Sequence, residues 1–138
     1  LLAVSLLILP VLGVLPDWHF LWLPFLMALT VALAAGIGLL LGTLNVFARD
    51  VGQVVAVALQ FWFWVTPIVY PMSIVPQGFR ATLNFNPAVP LVVSYQNILL
   101  YGQPPSPHIA WVAVLAVALL TAGLFLFRRA SSEMVDVL

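Results

Sequence analysis

Residues 18–48 read WHFLWLPFLMALTVALAAGIGLLLGTLNVFA, a run without a single Asp, Glu, Lys or Arg. A helix crossing the roughly 30 Å hydrocarbon core of a bilayer needs about 20 such residues, because each adds ~1.5 Å and every backbone amide must be satisfied within the segment. This run is long enough, and the charges around it repeat the pattern. Asp17, Arg49, Asp50, Arg80, Arg128, Arg129, Glu133 and Asp136 are the only charged residues among 138, and they cut the chain into uncharged stretches 1–16, 18–48, 51–79 and 81–127.

The composition agrees. Hydrophobic residues make up 64% of the chain and charged ones 6%, against about 45–50% and about 25% in soluble domains. Eight charges cannot cover the surface of a water-soluble globule of this size, and the mean hydropathy is +1.20. The formal net charge is zero, with four Arg against four acids, so there is no basic field to attract nucleic acid. The absence of cysteine excludes a disulfide, a thiolate nucleophile or a thiol metal site. The chain opens on Leu1 inside an apolar run with no basic segment ahead of it, unlike a signal peptide, and is expected to be a piece of a longer protein.

The spacing predicts an all-α membrane protein, one transmembrane domain over residues 1–138 with four transmembrane helices. Leu1 to about Leu15 is short and carries Pro10 and Gly13, as the outer part of a longer helix would. The other spans are predicted over Leu21 to Phe47, Val51 to Tyr70 and Ile109 to Phe127. Between the last two lies Pro71 to His108, too apolar for a plain aqueous loop. Proline suits a first helical turn and glycine a helix end, so Pro87 or Pro90 should open a short helix ending at about Tyr101, capped by Gly102. One or two re-entrant or interfacial helices are expected there, before the last span. Arginines concentrate on cytoplasmic loops. Arg49, Arg128 and Arg129 against Arg80 therefore place the 48–51 turn and the C-terminus in the cytoplasm of a multi-pass inner-membrane protein. Residues 71–108 and the aromatic cluster Trp18, Phe20 and Trp22 then fall at the outer face.

The supply of chemistry is thin. His19 and His108 each lie near a predicted helix end, and the only carboxylate close to either is Asp17. The chain holds no P-loop, HExxH, GxSxG or paired-carboxylate motif, so no catalytic or metal-binding residue is expected. Thr30, Ala34, Gly38, Gly42 and Asn45 recur at nearly every fourth position, a small-residue stripe suited to close helix packing in lipid, within the chain or between subunits. Gln53, Gln60, Trp64 and Pro67 share one side of the next helix, and Phe61, Trp62 and Phe63 add aromatic surface. Polar groups at membrane depth face protein interior or a water-filled path, so this face lines a conduit or fills a core. Rings stacking on pyranose faces beside amides that meet hydroxyls would suit sugars. Pro67 and Pro71 should stop or kink the helix and free carbonyls. Asn45, Arg49, Asp50 and Gln53 cluster at the 48–51 turn, either simply solvated or a contact or gate toward a cytoplasmic partner.

Leu44-Asn45-Val46-Phe47-Ala48-Arg49-Asp50-Val51-Gly52-Gln53, followed by Gln60-Phe61-Trp62-Phe63-Trp64-Val65-Thr66-Pro67-Ile68-Val69-Tyr70-Pro71, resembles the permease subunits of type-2 ABC exporters. More narrowly, it looks like those exporting O-antigen, teichoic acid and other polysaccharides or polyol phosphates. Asn84-Phe85-Asn86-Pro87 and Tyr95-Gln96-Asn97-Ile98-Leu99-Leu100-Tyr101-Gly102 continue the pattern in order. The resemblance covers essentially the whole chain and corresponds to the last four of six membrane helices. It implies a homodimer of permeases on two ATP-binding cassette subunits, with ATP and Mg2+ on those partners and no cofactor on this chain. It also implies a lipid-linked glycan moving past aromatics of the next-to-last helix, here Phe61, Trp62, Trp64 and Tyr70. The substrate pathway is thus assigned to Gln60, Phe61, Trp62, Trp64, Tyr70, Tyr95 and Gln96. Members often carry Arg in the position of Gln96, which bears on any phosphate attraction or outer gate there, and the family's coupling helix would lie upstream of Leu1.

The leading expectation is therefore a non-catalytic permease that moves lipid-linked polysaccharide or polyol phosphate in the cytoplasmic membrane. A type-2 exporter of drugs or small lipids, or a non-transporting membrane scaffold dimerising through the small-residue stripe, are the alternatives. A membrane glycosyltransferase is disfavoured because residues 71–108 contain no acidic side chain.

Overall fold

The computed structural model describes residues 18–68 and 70–135, with side chains through Ser131. The helix expected over Leu1 to Leu15 lies outside the described residues. A 3-10 turn over Trp18–Leu21 leads into α1, Trp22–Phe47. A tight turn gives α2, Val51–Val65. The connecting region holds a 3-10 turn over Met72–Ile74, then α3, Gln77–Leu83, and α4, Ala88–Tyr101. The chain closes with α5, Ile109–Val135.

Two stretches are long and apolar enough to cross a bilayer, Trp18–Phe47 and Ile109–Ser131, and they are the two helices that pack most closely. Lipid offers no hydrophobic drive between helices, so close approach of backbones supplies the attraction. The contact is made at Gly36 and Gly123. A Cβ on Gly36 would lie 2.7 Å from the Leu120 amide nitrogen, and one on Gly123 would lie 2.9 Å from Leu39 Cβ and 3.1 Å from the Gly36 carbonyl. Leu23, Leu26, Leu29 and Leu33 of α1 then meet Leu91 and Ile98 of α4 and Val112 and Ala116 of α5 in one core.

Three boundaries differ from the sequence reading. The helix expected to run to Tyr70 stops at Val65, with Thr66 extended at φ −84° and ψ 131°. Pro67 supplies the reason, since the proline ring clashes with a helical residue before it. The last helix continues to Val135 rather than ending at Phe127, because residues 128–135 contain no Gly or Pro to stop it. Residues 71–108 hold two short α-helices and a 3-10 turn. Pro87 stands at the α4 N-cap and Gly102 takes left-handed φ 58° at its end, letting the Gln103 N–H reach back to the Asn97 carbonyl at 2.9 Å.

Candidate functional site

Helix α2 is tied to the rest of the chain at its two ends and stands free between them. At the first end the Asn45 Oδ1 accepts the Gly52 backbone N–H at 2.8 Å, so a side chain of α1 satisfies one of the amides that a helix start leaves without an internal partner. A Cβ on Gly52 would fall 3.0 Å from that oxygen, which explains glycine there. Arg49, Asp50 and Gln53 are exposed around this turn.

The other end is held by a side-chain network. The Trp62 Nε1–H donates to Asn86 Oδ1 at 2.6 Å, and Asn86 Nδ2 donates to Thr66 Oγ1 at 3.2 Å. The Ala88 N–H also donates to Asn86 Oδ1, at 3.1 Å, so one amide ties α2 to the start of α4. The proline break frees carbonyls, and two of those around it take side-chain donors. Gln96 Nε2 donates to the Pro67 carbonyl at 3.2 Å, and the Tyr70 hydroxyl reaches the Val65 carbonyl at 3.2 Å. Buried polar groups require such partners, and Thr66 is only 2% exposed.

Between these ends, none of the α2 residues is buried. Residues two apart on an α-helix stand about 200° apart, and this separates the two tryptophans. Trp62 shares a face with Val51, Val55 and Leu59 and lines an apolar groove of about 570 Å3 against α1. Gln53, Gln60 and Trp64 stand on the opposite face with Phe61 beside them, Phe61 being 69% exposed and Trp64 66%. The aromatic surface expected as one wall is therefore two. Trp62 is fixed by Asn86, whereas Gln60, Phe61 and Trp64 are presented outward.

The other candidate residues divide similarly. Tyr95 is half-buried with its hydroxyl 3.2 Å from Thr30 Oγ1, joining α4 to α1. Tyr70 and Gln96 serve the proline break. Thr30, Ala34, Gly38, Gly42 and Asn45 line the α1 wall of the groove, and a Cβ on Gly38 or Gly42 would meet nothing within 4 Å. The tight packing within this chain thus falls to Gly36 and Gly123. Sequence inspection missed both, although Gly36 precedes the stripe's Gly38 by two residues, on another side of the helix. Asn86 was also missed as a functional contact, its only signal being its place before Pro87.

The ABC-2 type transporter family matches residues 1–100. The chain is 24% identical over 127 residues to an O-antigen export system permease protein RfbA of Klebsiella pneumoniae, covering 91% of this chain and 49% of that protein. It is 29% identical over 124 residues to a protein of the same name from Myxococcus xanthus, covering 88% and 48%. The chain spans about half the length of the curated relatives it matches. With the family match running over α1, α2 and nearly all of α4, and with long apolar helices as its frame, this membrane chain belongs to the ABC-2 type transporter family.

Proposed function

We propose that the chain is part of a permease subunit that moves lipid-linked polysaccharide or polyol phosphate outward across the cytoplasmic membrane. It acts as a homodimer, with ATP and Mg2+ handled by separate ATP-binding cassette subunits. The observation that carries this reading is the outward face of α2, where Gln60, Phe61 and Trp64 are exposed at membrane depth without cover from the described residues. Amides left against lipid would lose their hydrogen bonds, so the face belongs against a wet path. Its chemistry suits a glycan, the cargo class in the names of the Klebsiella and Myxococcus relatives.

Aromatic rings and amides give many weak, interchangeable contacts to a sugar chain, and a long polymer needs contacts it can leave. The Arg49 turn and Arg128–Arg129 on the cytoplasmic side, with residues 71–108 outside, follow the positive-inside rule. ATP-driven closure of the partner subunits would rock the two permeases and expose the α2 faces alternately.

The test uses the full-length protein with its partner ATPase. Phe61→Ala with Trp64→Ala, and separately Gln60→Leu, should lower surface glycan several-fold at an unchanged level of permease in the membrane. Normal export by these variants overturns the assignment.

A further inference from the structure

Beside the proline break lies a second cavity, of about 290 Å3, between the segment after α2 and the end of α4. Ligand pockets run from about 300 to 1,000 Å3, so this one has the size of a small subsite. Five of its eight lining residues are polar and uncharged: Ser73, Gln96, Asn97, Tyr101 and Gln103. No charged residue lines it. Arg80, the nearest cation in sequence, is occupied, with Nε donating to the Val75 carbonyl at 2.8 Å and Nη2 to the Ser73 carbonyl at 2.9 Å.

The hydrogen-bonding capacity of these walls is largely unspent. Gln96 uses its Nε2 on Pro67 and Asn97 its Nδ2 on Pro104, leaving both amide oxygens as acceptors. Among the described residues, the Ser73 and Tyr101 hydroxyls and the Gln103 side-chain amide have no protein partner. Alternating neutral donors and acceptors match neither an anion, which needs a cation or converging N–H groups, nor an acyl chain, which offers no hydrogen bonds. They match a polyhydroxy ligand, and the exposed Tyr101 ring gives its C–H face an apolar platform.

We infer that this cavity is a neutral saccharide subsite on the outer side of the membrane, holding one sugar unit of the polymer as it leaves the α2 face. This rests on the polysaccharide reading above. Gln96 links the two places, because it closes the proline break with its amide nitrogen and lines the cavity.

The experiment keeps the full-length permease, its ATPase and the cell's own glycan. A photoreactive benzophenone side chain is placed at Tyr101, at Trp64, or at Val114, which is exposed on α5. After irradiation the permease is purified under denaturing conditions and stained for carbohydrate. Carbohydrate-bearing adducts are expected at Tyr101 and Trp64, with none at Val114 and none in cells that make no glycan. Gln103→Leu should cut the Tyr101 adduct about fivefold, the effect of one lost hydrogen bond, and leave the Trp64 adduct unchanged. An adduct at Trp64 without one at Tyr101 overturns the subsite alone. Adducts at neither overturn the polysaccharide reading as well, and equal labelling at Val114 overturns any specific site.

Discussion

The Trp62 indole donates to Asn86 across 2.6 Å, and the same Asn86 amide donates to Thr66 and accepts from the Ala88 backbone. This side chain joins the end of the aromatic helix to the start of α4. Its contacts distinguish a tryptophan that holds structure from one, two residues on, that faces outward.

If the network acts as a unit, its members are not additive. Asn86→Ala and Trp62→Phe should each destabilise the purified full-length protein by about 1–3 kcal/mol through the polar groups they strand. The double variant should cost little more than either single change. Thermal unfolding in detergent checks this, and simple additivity would count against a shared network.

The two glycine sets separate in the same assay. Gly36→Ala and Gly123→Ala drive a Cβ into α5 or α1 backbone and side chains, and overpacking of this kind costs about 1–3 kcal/mol. Gly42→Ala meets no atom of the described residues and should leave the packing of α1 on α5 intact. The comparison is read as folded permease recovered from membranes.

Gln96→Leu keeps the side chain's bulk but strands the Pro67 carbonyl, for a loss of about 1–3 kcal/mol. Hydrogen exchange at Ile68 and Tyr70 should quicken relative to the α1 core. Unchanged protection would mean that the break is held by other contacts.

Asn45→Ala removes the acceptor from Gly52 and should cost about 1 kcal/mol, as loss of a helix cap does. Its effect is local to the turn between α1 and α2. Proteolysis at Arg49 should rise, while the melting of the α1–α5 pair stays close to that of the parent protein.

Much of the architecture was legible from residue types alone. The charge gaps located α1 and α5, and of the two prolines that could open α4, Pro87 and Pro90, the helix uses Pro87 and ends at Gly102 as expected. The spacing carries the span to Tyr70, five positions beyond the observed stop at Val65, with Pro67 and Pro71 both expected to kink or stop it; the helix ends at the first of them because Pro67 disfavours a helical Thr66. Periodicity put Gln53, Gln60 and Trp64 on one face. It gave no sign that Trp62 had a partner 24 residues away.

The sequence by itself determined that this chain is helical and lives in lipid, because uncharged length and backbone hydrogen bonding leave few other solutions. Only the tertiary structure decided which small residues touch and which tryptophan is held. Those outcomes depend on the angle at which α1 meets α5 and on where Asn86 lands beside α2. Contacts between distant segments are set by three-dimensional approach, which the local spacing of residues does not encode.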